Sequence, residues 1–477
     1  MLKSVIALDG DERFLIEYHR LTLREGARMD RLSYIEKLER WRTSPRRKPL
    51  ILEGARQVGK TWLMREFASS HYSNQVYVRF DKDRQLKRIF ERDFDVGRIV
   101  HDLEIAFRTR IDPLNTVLLF DEIQACRNAL TSLKYFCEDR PDLHVIAAGS
   151  LLGLEYMDDE EFKADAEGDV ETTGFPVGKV DTIGVHPLSF VEFLSALGES
   201  ALAEEICKRN WDTIEMFRER LVDLLKHYYV IGGMPEAVSA YVETRNFIDA
   251  IEVQKAILSG YRKDFAKHAP KNDVPRINLF WDAIPSQLAK ENKKFMYSGI
   301  KKGERSSSYR SPISWLSGAG LIYLCRRVTV PRLPIKSYVD AAFKVYVLDV
   351  GLLSSMSGLD SRVVLDGSRV FTEFKGALTE QYIHQQMIAE YGDEPCYWST
   401  DDSRTEVDFI VQKGMDIAPV EVKAEENVQS KSLKSYMERF KPPVSYRLSM
   451  LPYKEQRIAS PGNPERLLVN IPLYGIR

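Results

Sequence analysis

The spacing of apolar residues divides the first third of the chain into alternating short strands and longer helices. Residues 1–28 are charged and weakly periodic, which favours a peripheral extension, whereas Ile35, Leu38 and Trp41 share one face of a helix. The segments with strand character are 49–53, 75–80, 116–120 and 144–148, and those with helical character are 61–68, 85–110 and 129–138. This alternation predicts a parallel sheet covered by helices.

The pattern changes in the second and last thirds. Residues 186–270 have helical periodicity, with a sharp break at 231–235. Residues 306–316 predict a capped helix, glycines at 318 and 320 end it, and 321–324 begin a strand. From about 370 to 477 strands and helices mix again. We therefore expect an α/β protein of several domains rather than one.

The segment between the first predicted strand and the next helix has the pattern of a phosphate-binding loop. It matches G-x-x-x-x-G-K-[ST], in which glycines let backbone N–H groups close on phosphate oxygens at a helix N-terminus. Lys60 is predicted to reach the β- and γ-phosphates of ATP, and the Thr61 hydroxyl to hold Mg²⁺. The predicted nucleotide-binding residues are Gly54, Ala55, Arg56, Gln57, Val58, Gly59, Lys60 and Thr61.

An acidic pair is predicted to complete this nucleotide site. Asp121 and Glu122 follow an apolar run whose composition predicts a fully buried strand. Asp121 is predicted to bind Mg²⁺, and Glu122 to polarise the water that attacks the γ-phosphate. Ser150, at the end of the next strand, is predicted to contact the γ-phosphate or this water, but it equally fits a simple turn.

Composition limits the class of protein. Apolar residues make up 44% of the chain and charged residues 29%, and no run approaches the length of a membrane span. The five cysteines are scattered without C-x-x-C spacing, which favours a reduced, cytoplasmic protein. We expect no membrane partner.

The middle of the chain is strongly basic although the net charge of the chain is only −2. Residues 271–345 contain 14 Lys and Arg against 5 Asp and Glu. One interpretation is contact with the phosphate backbone of DNA or RNA, independent of sequence and sensitive to salt. The other is a solvated basic face, or a surface that meets acidic parts of the same chain.

Two segments near the C-terminus, 406–411 and 419–424, alternate with the period of a strand. A hairpin centred between Gly414 and Met415 would place Asp408 opposite Glu421, about 5 Å apart on one face. Such a pair is unfavourable unless a cation joins it, so Asp408 and Glu421 are predicted to bind Mg²⁺. Lys423 would position a water or steady a phosphate in phosphodiester hydrolysis. The alternative is ordinary surface decoration of an exposed strand.

The ordered set of motifs resembles a known family. The chain is similar to bacterial and archaeal AAA-type ATPases of the STAND-related group, which end in a conserved domain of unknown function. The resemblance rests on residues 54–61, 118–124, 149–152, 186–193 and 232–237, and on the set Asp408, Glu421 and Lys423. It implies an ATPase core, a helical lid, a winged helix and a C-terminal domain like the restriction endonucleases. Glu380 matches the upstream helix glutamate of those nucleases, which implies a third metal ligand.

These patterns and the resemblance together predict five parts. They are an N-terminal extension (1–28), a P-loop core with a parallel sheet (29–185), a helical lid (186–270), a winged-helix-like domain (271–358) and a nuclease-like α/β domain (359–477). The predicted function is Mg²⁺-dependent ATP hydrolysis whose state gates a nucleic-acid-directed C-terminal domain. The alternative is a STAND-like switch or scaffold that assembles with an unknown protein partner, as an oligomer in some states, and cleaves nothing. A DNA-stimulated motor ranks last, because no helicase motif set is present.

Overall fold

The computed structural model describes nine parts of the chain, which include all the predicted strands of the ATPase core. They are residues 31–150, 152, 175–290, 293–300, 305–359, 369–392, 394–424, 430–458 and 466–477, without the side chains of 369–373 and 413. The predicted N-terminal extension, residues 1–28, lies outside them.

The first part of the fold is a parallel sheet with helices on both faces. Its elements are α1 (Leu32–Thr43), β1 (Leu50–Glu53), α2 (Lys60–His71), β2 (Asn74–Arg79), α3 (Arg84–Glu91), α4 (Val96–Phe107), β3 (Thr116–Asp121), α5 (Arg127–Asp139), β4 (His144–Ala148) and β5 (Asp181–Gly184). The strands are all parallel in the order β2-β3-β4-β1-β5, which confirms the predicted sheet. Strand β3 is buried on both faces, and this explains its unbroken apolar run.

A helical segment follows the sheet. Its helices are α6 (Phe190–Ala196), α7 (Ser200–Lys208), α8 (Trp211–Met216), α9 (Arg218–Ile231), α10 (Pro235–Thr244), α11 (Phe247–His268) and α12 (Val274–Leu288). Ser189 and Glu192 form a capping box that starts α6. Gly232 ends α9 and Pro235 occupies the first turn of α10, so the predicted break at 231–235 is confirmed.

The rest of the chain forms a mixed eight-stranded sheet with its own helices. Its elements are α13 (Arg310–Gly318), β6 (Ile322–Val328), β7 (Val339–Val347), α14 (Val350–Met356), α15 (Arg369–Tyr391), β8 (Cys396–Ser399), β9 (Glu406–Lys413), β10 (Asp416–Val422), α16 (Lys431–Phe440), β11 (Val444–Ser449), β12 (Lys454–Ile458) and β13 (Arg466–Pro472). The strand order is β12-β13-β11-β10-β9-β8-β6-β7.

The hairpin β6–β7 follows α13, as the sequence pattern predicts, but it does not stand apart. Strand β6 pairs in parallel with β8, so one sheet continues across the predicted boundary at residue 358. One apolar core also extends from Tyr34 in α1 to Tyr474 near the C-terminus. The winged-helix and endonuclease-like identities stay predictions. Among the described residues, no helix is long and apolar enough to cross a membrane.

Candidate nucleotide site and C-terminal carboxylate cluster

The phosphate-binding loop joins β1 to α2 through three residues with positive φ, namely Gly54, Gln57 and Gly59. A Cβ atom at Gly54 would collide with the carbonyl oxygen of Val185, which follows β5. Glycine at 54 is therefore required both by the backbone conformation and by the close approach of the neighbouring strand.

Lys60 turns inward and is almost fully buried. Its Nζ donates hydrogen bonds to the carbonyl oxygens of Gly54 (2.9 Å) and Ala55 (2.7 Å) and to Ser150 Oγ (3.2 Å). Burial lowers the pKa of Lys60 to about 8, although the carboxylates of Glu122 and Asp121 act in the opposite direction. The ammonium group is thus held by two carbonyl oxygens and a hydroxyl, all uncharged, which the charged oxygens of a phosphate can replace.

Asp121 lies beside the first turn of α2, where the sequence predicts the Mg²⁺ ligands. Both of its carboxylate oxygens are 3.1 Å from Thr61 Oγ1, which donates a hydrogen bond to them. Tyr77 on β2 also donates to Asp121, at 2.6 Å. Burial and this hydrogen bond raise the pKa of Tyr77, so the phenol stays protonated. A hydroxyl and a carboxylate brought together in this way fit Mg²⁺.

Glu122 and Ser150 complete the predicted set. Glu122 adopts a left-handed backbone conformation directly after β3 and accepts a hydrogen bond from Gln124. Ser150 is buried and bonded to Lys60, so it is not only a turn residue. The structure therefore brings all the predicted nucleotide-site residues to one edge of the parallel sheet.

The helical segment contacts this loop directly. Arg56 forms an ion pair with Asp264 on α11, and the Tyr261 hydroxyl of the same helix donates to the carbonyl oxygen of Arg56 at 3.0 Å. A Cβ atom at Gly59 would lie 3.5 Å from Pro235 Cγ at the start of α10. Helix α11 therefore contacts the loop at Arg56, and the first residue of α10, Pro235, lies close to Gly59.

The turn before α10 is fastened to the C-terminal part by Asp349, a residue that the sequence reasoning missed. Asp349 is fully buried, and its carboxylate accepts hydrogen bonds from the backbone N–H groups of Gly233 (2.6 Å) and Leu352 (3.0 Å). Gln385 on α15 donates to the same carboxylate at 3.0 Å. Burial raises the pKa of Asp349 to about 6, against the effect of these hydrogen bonds.

Further buried polar contacts tie α15 to the same place. Gln385 and Gln386 donate to the hydroxyl of Tyr228 at 3.0 and 3.3 Å. Tyr228 in turn donates to the carbonyl oxygen of Leu188, whose N–H bonds to Gly233 at 2.7 Å. We call Tyr228, Gly233, Asp349, Gln385 and Gln386 the polar hub.

The C-terminal hairpin has the register that the sequence predicts. Asp416 pairs with Lys413, and Val420 pairs with Phe409, as expected for a turn at Gly414. The ladder ends there, and the Asp408 carboxylate accepts the N–H of Val422 at 2.8 Å.

The interpretation as an exposed strand face is wrong for Glu421. Its side chain is buried beside the start of α16, whose N-cap residue is Ser430. Ser430 donates to its Oε1 at 2.7 Å, and Lys423 pairs with the same oxygen at 2.9 Å.

The carboxylates of this region surround a lysine from β7. Lys344 is fully buried, and its Nζ lies 2.5 Å from Glu406 Oε1, 3.7 Å from Glu380 Oε2 and 3.9 Å from Asp408 Oδ1. Lys293 also pairs with Glu380. We call Lys344 and the carboxylates of Glu380, Glu406, Asp408 and Glu421 the carboxylate cluster.

The pKa directions within the cluster follow from these charges. Burial alone would raise the pKa of Glu380, but Lys293 and Lys344 lower it to about 2. Burial and the neighbouring carboxylates Glu380 and Glu421 raise the pKa of Asp408 well above its usual range. Burial would lower the pKa of Lys344, yet Glu406 and the groups around it raise it. Lys344 is therefore a stable cation.

This arrangement does not fit a divalent metal as it stands. Within the part of the chain that the structure describes, no group of three or more His, Cys, Asp or Glu side chains is placed to hold a metal ion. The ammonium group of Lys344 separates Glu380, Glu406 and Asp408 instead.

The basic region is also less uniform than its composition indicates. Lys293 and Lys344 neutralise the carboxylate cluster, and Arg327 pairs with Asp340. These three residues therefore agree with the interpretation in which the basic region meets acidic parts of the same chain. Among the described residues of this region, the exposed basic ones are Lys271, Arg276, Lys290, Arg305, Arg310, Arg326, Arg332 and Lys336.

Comparisons with known proteins agree with the nucleotide-site geometry. Residues 46–194 match a family model described as AAA domain. The phosphate-binding loop, the parallel sheet and this match support a P-loop ATPase domain of the AAA type over residues 46–194. Residues 222–363 match Domain of unknown function (DUF8612), and residues 375–473 match Domain of unknown function (DUF4143). No curated protein matches the chain.

Two solved structures are similar at low identity. A Walker-type ATPase of Pyrococcus abyssi shares 18% identity over 70% of this chain and 99% of its own, with a TM-score of 0.44. The ORC1 protein of Aeropyrum pernix, solved in complex with DNA, shares 14% identity over 68% of this chain and 90% of its own, with a TM-score of 0.24. Similarity at these TM-scores carries no inference about partners.

Proposed function

We propose that the protein binds and hydrolyses Mg-ATP and uses the nucleotide state to control the arrangement of its C-terminal part. The loop, Asp121 and Glu122 supply the ATPase chemistry. The polar hub connects the turn before α10 to Asp349 and α15 in the C-terminal part. This connection is the observation that carries the proposal.

The ATPase roles follow from the positions of the side chains. Lys60 would leave the loop carbonyls for the β- and γ-phosphates, while Thr61 and Asp121 would hold Mg²⁺. When bound, Mg²⁺ shields the charge on the phosphates. Glu122 would orient the attacking water, and Ser150 would contact the γ-phosphate or that water.

The coupling follows from shared contacts. A change in the loop at Arg56 would act on α11 through the ion pair with Asp264, and a change at Gly59 would take place close to Pro235 at the start of α10. The turn before α10 is bonded through Gly233 to Asp349, and Asp349 is bonded to α15. Because these groups are buried, they cannot exchange their partners for water without cost, and the two regions should move together.

Hydrogen exchange tests this coupling. Addition of a non-hydrolysable ATP analogue and Mg²⁺ should change amide exchange in α15 and in the turn at Gly233, in addition to the loop. Lys60→Ala, which should not bind nucleotide, is the matched control. Exchange changes confined to residues 46–194 would contradict the proposed coupling.

A second candidate function is metal-dependent cleavage of nucleic acid in the C-terminal part. The observation that favours it is the confirmed hairpin register, which brings Asp408 and Glu421 to the same end of β9 and β10. With Lys344 displaced from between the carboxylates, Asp408, Glu421 and Glu380 would hold the metal, and Lys423 would position the water. The exposed basic residues of 271–345 would contact DNA or RNA.

A paired assay separates this candidate from a switch that assembles with a protein partner. ATP hydrolysis is measured with and without DNA, and DNA cleavage with and without ATP, in wild type and Asp408→Ala. Cleavage that Asp408→Ala abolishes supports the nuclease. ATP-dependent change in molecular mass without cleavage supports the partner-binding switch.

A further inference from the structure

The cation at the centre of the carboxylate cluster comes from a different part of the fold than the carboxylates. Lys344 lies on β7, whereas Glu406 and Asp408 lie on β9 and Glu380 lies on α15. Between β7 and β9 stand two further strands, β6 and β8. The Lys344 side chain therefore extends across the face of the sheet to lie between these carboxylates.

We propose that Lys344 is a built-in cation that excludes divalent metals from the carboxylate cluster, and that the cluster binds Mg²⁺ or Mn²⁺ when β7 withdraws the lysine. The metal-exclusion part can be tested without nucleotide. The regulation of β7 by ATP rests on the coupling proposed above.

The cluster has the donors that a hard cation requires. Four carboxylates, those of Glu380, Glu406, Asp408 and Glu421, offer oxygen ligands of the kind that Mg²⁺ and Mn²⁺ prefer. Glu421 Oε2 is buried and has no hydrogen-bond partner among the described residues. Lys344 Nζ likewise makes ion pairs but no hydrogen bond of good geometry within those residues.

The buried negative charge of the cluster has to be balanced by a cation, either the ammonium group of Lys344 or a divalent metal. Among the described residues, Lys293 forms an ion pair with Glu380 and Lys423 with Glu421, whereas Lys344 forms the ion pairs with Glu406 and Asp408. Removal of one partner from a buried ionic group leaves an uncompensated charge, which is strongly unfavourable. A divalent metal would restore the balance at the same place.

The C-terminal end of β7 is hydrogen-bonded to α15 and leads directly to the polar hub. Lys344 is five residues before Asp349 of the polar hub, and Gln381 on α15 bonds to both the N–H (3.0 Å) and the carbonyl oxygen (2.6 Å) of Val347. A shift of the hub therefore bears directly on the strand that carries the lysine. This makes β7 the element through which nucleotide could admit a metal.

The test uses the full-length, nucleotide-free protein with Mn²⁺ as the probe. Lys344→Met keeps the length of the side chain and removes its charge. Lys293→Met is the matched control, because it removes a charge that contacts Glu380 from the edge of the cluster. Thermal unfolding and Mn²⁺ binding by electron paramagnetic resonance are measured for each variant, and for Lys344→Met combined with Asp408→Asn.

We expect Lys344→Met to have a lowered Tm that Mn²⁺ raises by several degrees in a saturable manner. The double variant, Lys293→Met and wild type should lack this response. The proposal is overturned if Mn²⁺ does not raise the Tm of Lys344→Met, or if wild type shows the same response and loses it on Asp408→Asn. Binding of Mn²⁺ by Lys344→Met without cleavage of DNA or RNA would reject the nuclease candidate and leave the metal-exclusion proposal standing.

Discussion

Binding of ATP at alkaline pH should be accompanied by uptake of a proton at Lys60. Burial lowers the pKa of this ammonium group to about 8 from its ordinary 10.5. Phosphate oxygens beside the group favour its charged form and should return the pKa toward the ordinary value. Lys60 is then partly neutral before binding and protonated afterwards.

The magnitude follows from the fraction of neutral lysine. A group with a pKa of about 8 is about one-tenth neutral at pH 7, about half neutral at pH 8 and about nine-tenths neutral at pH 9. Binding should therefore take up about 0.1, 0.5 and 0.9 protons at these three values. By linkage, the dissociation constant for Mg-ATP should rise about tenfold from pH 7 to pH 9.

Isothermal titration calorimetry in buffers of different ionisation enthalpy measures the proton count. Lys60→Arg is the control, because a guanidinium group stays charged throughout this range and should take up no proton. If wild type takes up no proton at pH 8 and pH 9, or if Lys60→Arg takes up as much as wild type, the reasoning about Lys60 is refuted.

Three further predictions concern stability. Asp349→Ala leaves buried donors without an acceptor and should lower the free energy of unfolding by about 3–5 kcal/mol in urea titrations; a loss below about 1 kcal/mol would contradict the role of the hub. His384 is fully buried, and burial lowers its pKa to about 3. Because only the unfolded chain gains this proton as the pH falls below 6.5, wild type should lose about 2 kcal/mol relative to His384→Phe between pH 7 and pH 5, and equal pH profiles would contradict this. Arg56→Gln should cost less than about 1 kcal/mol by thermal unfolding, because its ion pair with Asp264 is partly exposed; a larger loss would mean that this pair holds α11 in place.

Local patterns were sufficient to predict the parallel sheet, the position of residues 54–61 between its first strand and the next helix, and the register of the C-terminal hairpin. The loop follows β1, and Asp121 ends β3. Because strands and helices alternate along the chain, these strands are parallel, and their carboxyl ends meet at one edge of the sheet. The hairpin has a short turn at Gly414, and a short turn leaves little freedom in the register, which pairs Val420 with Phe409 and so brings Asp408 and Glu421 to the same end of the two strands.

The role of Lys344 could not be predicted in the same way. It is about sixty residues from Glu406 and contributes to a basic composition that indicates a surface. One signal was present: Lys344 stands inside the apolar run 343–348, where an exposed lysine is unexpected. Its partners, however, depend on how β7 and α15 pack, which no local pattern specifies. The same holds for Asp349: its bond to Leu352 is a local helix cap, but its other two donors, Gly233 and Gln385, come from separate parts of the chain.

The sheet that continues across residue 358 has a consequence for synthesis of the chain. Strand β6 leaves the ribosome well before β8, its parallel neighbour, and Lys344 leaves it before any of the carboxylates that it pairs with. At about 5–20 residues per second, several seconds pass before the last of these partners is made. During that interval β6 has an open edge and β7 carries an unpaired charge that resists burial. The hairpin is therefore expected to wait, with its lysine in water, until the final hundred or so residues close the sheet over it.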